Sequence, residues 1–334
     1  MNVKNTFIVA EMACSHEGDL DLAKKIIDAS ASGGANAIQL QIWAVEHMMS
    51  PGRPEYDLLT RIEFSQTEWS SIVHYCRSRH PKMKIYACVY EHHSIDFIAS
   101  LGIDGFKLNS SDLSNPLVLD SVARCGKPIN LSVGASEITE IEAAIIRLRS
   151  ASPEPLITLM YGHQNFPTLP EDVHMGFMSK LKKLFELPIG YQDHCDADDN
   201  AAFWLPAASV GMGVDVLEKH ITHDRSLKGI DHESALNPDE FRQFVEMVRV
   251  IERASDTSYP RHFSPAEKSY REFQKKSIVA ARDLPAGHVL GADDVLFMRA
   301  EVLGMSPNKL EDILGRQLAR KVVAFEPILE VDSP

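Results

Sequence analysis

Short apolar runs alternate with stretches of helical periodicity along most of the chain. The first run, Phe7 to Ala10, precedes a stretch in which Leu22, Ile26 and Ile27 recur at helical spacing. Further strand-like runs begin near residues 37, 84, 105, 128, 155, 188 and 214, and each is followed by a helix or a helix-sized loop. Eight such βα units over about 250 residues predict a closed (β/α)8 TIM barrel rather than an open doubly wound sheet.

The composition of the chain changes after the last predicted barrel helix. That helix begins after the capping residues Asn237 to Glu240 and ends near Ala254. A charged segment follows, and beyond it a strand, a turn and a second short strand are predicted. We therefore predict a barrel over residues 1–255, a linker over 256–276 and a small β-rich module over 277–334.

Composition and charge exclude several classes of protein. The 334 residues are 44% hydrophobic and 24% charged, as in ordinary globular proteins, and the formal net charge is −13. Neither a nucleic acid nor an acidic membrane surface is an expected partner, because both require clustered cations. No apolar segment approaches the ~18 residues that span a bilayer, so we expect a cytoplasmic protein. The five cysteines are scattered, which predicts neither a disulfide framework nor a cysteine zinc site.

Two of the predicted strands end in a histidine. His194 directly follows Asp193, and His220 lies two residues after Glu218. The carboxyl ends of parallel strands meet at one face of an α/β fold, so the two imidazoles are expected to face one spot. Histidine is the commonest side-chain ligand of divalent metals, and the pattern therefore predicts a metal site or an acid/base site.

Seven short motifs follow one another along nearly the whole chain. They are residues 10–18 (AEMACSHEG), 106–112 (FKLNSSD), 131–134 (LSVG), 189–194 (IGYQDH), 218–222 (EKHIT), 229–232 (GIDH) and 280–287 (AARDLPAG). In this order they resemble the sialic acid (N-acetylneuraminate) synthase family, in which a barrel is followed by a module similar to type III antifreeze protein. The resemblance implies condensation of phosphoenolpyruvate with an open-chain N-acylated aminosugar, using a divalent metal such as Mn²⁺ or Mg²⁺. The implied products are a nine-carbon 2-keto-3-deoxy acid and phosphate.

The resemblance also implies roles for residues at the strand ends. His194 and His220 are implied to bind the metal. Glu11 is implied to act on the water that completes the reaction, or to hold the metal's aqua ligand. Lys107 and Ser110 are implied to contact the phosphate group, which an ammonium and a hydroxyl can both bind.

Further contacts are implied on both sides of the pocket. Ser132 and Gln192 fall where the family contacts phosphoenolpyruvate. Gln41, Gln164 and Asp231 fall where it contacts the sugar, whose hydroxyls need paired donors and acceptors.

The terminal module is implied to contribute a residue to a second subunit. Arg299 matches the arginine that the family's module presents to the N-acyl group in the partner subunit's barrel. The resemblance therefore implies a domain-swapped homodimer.

Three pocket positions depart from the family pattern. Gln39 stands where a lysine is usual, Cys88 where a hydroxyl residue is usual, and Gln192 where a serine is usual. Loss of the lysine removes a charge-assisted contact worth ~1.5 to 3 kcal/mol. On the sugar side, Gln164 and Phe166 stand where an asparagine and a tyrosine are usual, so the acceptor sugar stays open. Two other functions remain as alternatives. One is a barrel lyase or aldolase that acts on a sugar acid without phosphoenolpyruvate, and the other is a non-catalytic sugar-binding protein.

Overall fold

The chain divides into two compact units, residues 1–256 and residues 257–334. The computed structural model describes residues 5–163, 167–255 and 260–332. The first unit contains eight parallel strands that close into a barrel in chain order. The strands are β1 (Phe7–Glu11), β2 (Ala37–Ile42), β3 (Lys84–Val89), β4 (Gly105–Leu108), β5 (Ile129–Ser132), β6 (Ile157–Tyr161), β7 (Ile189–Asp193) and β8 (Val216–His220).

The predicted (β/α)8 barrel is confirmed. Each strand begins within two residues of its predicted start, and β1 pairs with β8 from Phe7↔Val216 to Glu11↔His220. Helices surround the barrel, and their apolar faces bury a core of mainly aliphatic side chains against the strands. The helices are α1 (Leu20–Ser32), α2 (Val45–Met48), α3 (Tyr56–Ile62), α4 (Gln66–Arg79), α5 (Ile95–Ser100), α6 (Pro116–Arg124), α7 (Ile138–Ala151), α8 (Met175–Phe185), α9 (Ala201–Gly211) and α10 (Pro238–Ala254).

Three of these helices were not predicted from the sequence, namely the single-turn α2 and the longer α9 and α3. Helix α9 contains no charged residue and carries an internal proline, Pro206, so it lacks the polar face by which a surface helix is recognised. Helix α3 lies in the segment that the sequence predicted as an irregular loop, directly after Pro51 and Pro54. Both helices are held by packing onto the barrel rather than by a clear local pattern.

The second unit is small and has a core of its own. Strand β9 (Ser277–Ala280) pairs antiparallel with β10 (Val295–Met298), which confirms the β-rich module. Its apolar core includes Ile278, Leu284 and Val322. The unit also contains α11 (Pro265–Gln274), which lies inside the predicted linker, and α12 (Leu310–Ile313). Among the described residues, no helix has both the length and the apolar character needed to cross a bilayer.

The amino-terminal half of the barrel interior is filled by apolar side chains. Val9, Ala37, Tyr86, Met160 and Val216 form a cluster separate from the main core. Two interior glycines make room for the large members of this cluster. A Cβ atom added at Gly105 would lie 2.4 Å from the Tyr86 ring, and one at Gly190 would lie 2.3 Å from the Met160 sulfur. Water is thereby kept out of this half, and the polar residues occupy the carboxyl-terminal half.

We predict that Gly105→Ala lowers the free energy of unfolding by about 1–3 kcal/mol, because the new methyl group overlaps the Tyr86 ring. Thermal and urea unfolding measure the effect. Gly211→Ala is the matched control, since a Cβ atom there meets nothing within 4 Å and the residue is helical. The double variant Gly105→Ala/Tyr86→Leu should recover part of the loss. Equal unfolding midpoints for Gly105→Ala and Gly211→Ala would contradict this account of the interior.

Candidate active site

Four polar side chains from β1, β2, β4 and β8 meet inside the barrel. The Gln39 amide nitrogen donates to Glu11, and also to Glu218 at 3.3 Å. The Lys107 ammonium donates to the other oxygen of Glu218. All four residues are buried, with exposed fractions of 0–6%. Glu11 also accepts hydrogen bonds from the Ala13 backbone N–H at 2.8 Å and from the Gln41 amide at 3.3 Å.

This network contains one ammonium for two carboxylates. Burial raises the pKa of Glu11 to about 8, and the nearby Glu218 carboxylate acts in the same direction. Burial by itself would lower the pKa of Lys107, but Glu218 and Glu11 outweigh it and raise that pKa. Glu11 therefore exchanges a proton near neutral pH while Lys107 stays charged. Gln39 adds hydrogen bonds to the network but no charge.

His194 and His220 lie side by side at the carboxyl ends of β7 and β8. Their ring centroids are 5.0 Å apart and their planes differ by 57°. Burial, with the Lys107 charge acting in the same direction, lowers the pKa of His194 to about 4. Burial also lowers the pKa of His220 well below its usual value, as does the neighbouring His194. Both imidazoles are therefore neutral at physiological pH, which is the form that binds metals.

The donor set in this region fits a divalent cation held by two imidazoles. The Nδ1 atom of His220 is buried and has no hydrogen-bond partner among the described residues. Within those residues, no group of three or more His, Cys, Asp or Glu side chains is arranged to hold a metal ion. Among the described residues, His194 and His220 are therefore the pair of nitrogen donors that would hold such an ion.

Short backbone contacts fix each histidine to a different neighbour. The His194 carbonyl accepts hydrogen bonds from the Thr168 N–H and from the Ser234 hydroxyl, both at 2.8 Å. The His220 carbonyl accepts from the Leu236 N–H at 2.9 Å. The loop that follows β8 therefore holds both strand ends, and the loop that follows β6 also holds His194.

The residues predicted to contact phosphoenolpyruvate lie on neighbouring strands. Ser132 and Gln192 are both buried and hydrogen-bond each other across β5 and β7, with the Gln192 amide donating at 2.9 Å. Cys88 is buried on β3, and its sulfur accepts from the Asn109 amide at 3.3 Å. Ser110 is half-buried at the start of a short 3-10 helix after β4. Ser132 and Gln192 thus satisfy each other, and Lys107 is the charged member of the set predicted to contact phosphoenolpyruvate.

The residues predicted to contact the sugar are more widely spread. Asp231 lies in the loop after β8 with a φ of 62°, and its carboxylate accepts from the Cys14 N–H at 3.0 Å. It thereby joins the loops that follow β1 and β8. Gln41 is half-buried beside Glu11. Arg299 is exposed after β10 in the second unit, and Gln164 lies outside the described residues.

Sequence reasoning missed two features of the site. Glu218 shares the strand face of His220, so alternation along β8 could have placed it inside the barrel. On the opposite face of the same strand ends, the Lys219 ammonium forms an ion pair with Asp193 at 2.5 Å. Both of these side chains are 0% exposed, and the Tyr191 hydroxyl donates to the other Asp193 oxygen at 2.9 Å.

Between the loops that follow β7 and β8, the surface contains a cavity of about 530 Å³. Its lining includes Asp196, Ser226, Lys228 and His232. Arg225 also lines it, but its guanidinium is already paired with two carboxylates, which are Asp198 and Glu240. The volume suits a small molecule, and the mixed polar lining suits hydroxyl groups better than a strongly charged ligand.

The loop that carries these contacts from β1 is anchored by a buried histidine. His16 is 0% exposed, and its ring stacks on Phe64 with the centroids 4.5 Å apart. Its Nδ1 atom accepts a hydrogen bond from the Gly18 N–H at 3.0 Å. Burial lowers the pKa of His16 to about 4. The neutral ring therefore belongs to the aromatic packing that positions residues 12–18.

Fold and site together define a (β/α)8-barrel protein with a buried polar site and two histidines inside the carboxyl ends of its strands. The chain belongs to the NeuB family, which it matches over residues 26–259. Residues 275–332 match the SAF domain. The resemblance to the sialic acid synthase family is thereby confirmed.

Individual relatives cover nearly the whole chain. The chain is 31% identical to the uncharacterised protein MJ1065 of Methanocaldococcus jannaschii, over 94% of this chain and 90% of that protein. It is 28% identical to the N,N'-diacetyllegionaminic acid synthase of Legionella pneumophila, over 97% of this chain and 93% of that enzyme. The crystal structure of N-acetylneuraminic acid synthetase from Leptospira borgpetersenii, in complex with citrate, superposes with a TM-score of 0.73. That match has 27% identity and covers 80% of this chain and 92% of that chain.

We predict that His16 makes the protein less stable in acid. The unfolded chain binds a proton at this residue near pH 6.5, whereas the folded chain binds it only near pH 4. The free energy of unfolding should therefore fall by up to about 3 kcal/mol from this residue as the pH drops from 6.5 to 4. Urea unfolding of His16→Gln across this range should show a shallower decline than the wild type.

The exposed His47 provides the matched control, and His47→Gln should follow the wild-type curve. His194 and His220 also lower the stability as the pH falls. The effect of His16 is therefore the difference between the stability curves of the variant and the wild type. Parallel curves for His16→Gln and the wild type would show that the ring is not buried in its neutral form.

Proposed function

We propose that this protein condenses phosphoenolpyruvate with an open-chain N-acylated aminosugar, or a related aldehyde sugar, to give a sialic-acid-like 2-keto-3-deoxy nonulosonate. The observation that carries the proposal is the pair of neutral, buried imidazoles at the barrel mouth, close enough to the Lys107 ammonium for its charge to lower their pKa values. A metal-binding pair and a phosphate-binding cation are the two elements that this reaction needs. The names of the Legionella and Leptospira relatives support the same class of product.

His194 and His220 would hold a divalent metal, Mn²⁺ or Mg²⁺. When bound, such an ion polarises the sugar aldehyde and lowers the pKa of coordinated water. Glu11, in its ionised form, would act as the proton acceptor for a water molecule beside it, because its pKa of about 8 lies near the working pH. Gln41, which donates to Glu11, and Asp231, which bridges two loops of the mouth, are positioned to bind sugar hydroxyls.

Lys107 would bind the phosphate of phosphoenolpyruvate, together with Ser110, Ser132 and Gln192. In the structure its ammonium is paired with Glu218, so an incoming phosphate has to compete with that carboxylate. Charge-assisted hydrogen bonds to a phosphate are strong enough to make the exchange. Gln192 and Ser132 can reorient their mutual hydrogen bond toward the anion.

We further propose that the protein acts as a domain-swapped homodimer in which Arg299 of one subunit contacts the acyl group bound in the barrel of the other. Arg299 is exposed in its own unit, and an exposed guanidinium is free to meet a ligand held by a second chain.

A barrel lyase or aldolase acting on a sugar acid is the second candidate. The buried network favours it, since the described interior residues present Lys107 already paired and Gln39 without charge. A sugar acid carries less negative charge than phosphoenolpyruvate. Its binding would therefore need less positive charge from Lys107. A non-catalytic sugar-binding protein would keep the same histidines.

The deciding experiment mixes the full chain with phosphoenolpyruvate, Mn²⁺ and a panel of N-acylated hexosamines that differ in acyl group and in the hydroxyl at C6. We expect phosphate release with at least one acceptor, together with a 2-keto-3-deoxy acid detected by mass spectrometry. Phosphate release without an acceptor serves as the blank. Absence of release with every sugar, while Mn²⁺ still binds, would exclude the condensation and leave the two alternatives.

We predict that His220→Ala loses stoichiometric Mn²⁺ while keeping the fold, because one of the two imidazole ligands is removed. Metal content after gel filtration and the far-UV circular dichroism spectrum measure the two effects. His47→Ala, which removes an exposed histidine from α2, is the control and should retain wild-type metal content. A His220→Ala protein with full metal content would show that the cation binds elsewhere.

A further inference from the structure

We propose that Asp193 and Lys219 form a positioning pair, which sets the separation of His194 and His220 and so prepares the two rings to share one cation. The proposal rests on the metal role given above to the two histidines. It assigns a function to a buried ion pair on the outer face of the barrel, where neither side chain can touch a substrate inside.

Each partner of the ion pair directly precedes one of the histidines. Successive side chains of a strand point to opposite faces, so the pair lies between the barrel and its helices while both imidazoles point inward. Asp193 and Lys219 are also register partners on β7 and β8. The ion pair therefore joins the two strands one residue before each ring.

The ladder between β7 and β8 ends at this pair. Its register runs from Gly190↔Val216 to Asp193↔Lys219 and does not extend to the histidines. Beyond it, the His194 carbonyl is held by Thr168 and Ser234, whereas His220 is paired with Glu11 of β1. The His220 carbonyl accepts from the Leu236 N–H, in the same loop as Ser234, so this loop holds both histidines but does not join their strands directly. The last direct cross-link between their strands is the ion pair.

The energetics of a buried ion pair favour a positioning role over a stabilising one. Taking two charges out of water costs as much as their attraction returns, and apolar residues of similar size often give equal or higher stability. A buried ion pair does, however, fix the relative positions of the two strands that carry it, because the ammonium and the carboxylate must meet with defined geometry. The Tyr191 hydroxyl fixes the second oxygen of Asp193 and so orients the carboxylate.

The chain contains a second, partly exposed ion pair near the opposite ends of the same two strands. Lys182 of α8 contacts Asp215 at 3.1 Å, and Asp215 accepts a hydrogen bond from the Ile189 N–H at 3.0 Å. Asp215 thereby links α8 to the amino ends of β7 and β8, far along the strands from the histidines. It can therefore report the effect of losing an ion pair from these strands without moving the metal ligands.

The test measures Mn²⁺ alone binding to the metal-stripped full chain by isothermal titration calorimetry, together with the thermal midpoint of each variant. Asp193→Asn/Lys219→Met removes both charges at similar volume and leaves no unpaired buried charge. We expect its Mn²⁺ Kd to rise about 10-fold or more, as is typical when a group that orients a metal ligand is lost. Tyr191→Phe, which removes only one hydrogen bond to Asp193, should raise the Kd by about threefold. Lys182→Met should leave the Kd unchanged, even if it lowers the thermal midpoint.

A folded double variant with a Kd within twofold of the wild type would overturn the positioning role. If the double variant does not fold, Tyr191→Phe decides, and a wild-type Kd in that protein would overturn the proposal. An equal weakening of binding by Lys182→Met would also overturn it, because general destabilisation would then account for the effect. Wild-type protein that binds no Mn²⁺ would contradict the metal role itself, and both proposals would fall together.

Discussion

The parallel pairing of β1 with β8 is the contact on which the candidate site depends. It joins segments at opposite ends of the first unit, with Glu11 opposite His220 and Val9 opposite Glu218. Because a closed barrel has a fixed tilt and stagger, this one register decides which side chains share a level of the interior. A shift of β8 by one residue would turn both Glu218 and His220 outward and leave Glu11 facing different neighbours.

Closure also determines how the barrel interior is divided. The apolar cluster around Tyr86 and Met160 fills the amino-terminal half, and it fits only because Gly105 and Gly190 lack side chains. The carboxyl-terminal half then holds ionisable groups at almost no exposure, where unpaired charges are costly. Two features reduce this cost. Lys107 is paired with Glu218, and the pKa of Glu11 is raised to about 8, which favours its neutral form at lower pH. The same arrangement supplies a proton acceptor, a cation and two neutral imidazoles within one pocket.

Gln39 stands where the family resemblance implies a lysine, so the pocket has one positive charge fewer than that resemblance implies. An amide at this position bridges Glu11 and Glu218 without neutralising either of them. The interior thus holds one buried ammonium, Lys107, against two carboxylates. This charge also reaches the strand ends, since Lys107 lowers the pKa values of both histidines.

The sequence by itself determined the barrel, because buried parallel strands and amphipathic helices leave strong local patterns, and all eight strand starts were predicted within two residues. It also placed His194 and His220 at strand ends, since each ends an apolar run. Only the tertiary structure decided that Glu218 pairs with Lys107, and that Asp193 pairs with Lys219 behind the histidines. Those partners are separated by 111 and 26 residues, and their meeting depends on strand register and closure, which no local pattern encodes. Helix α9 escaped prediction for the same physical reason, because its all-apolar sequence becomes a helix through packing on the barrel rather than through a periodic face.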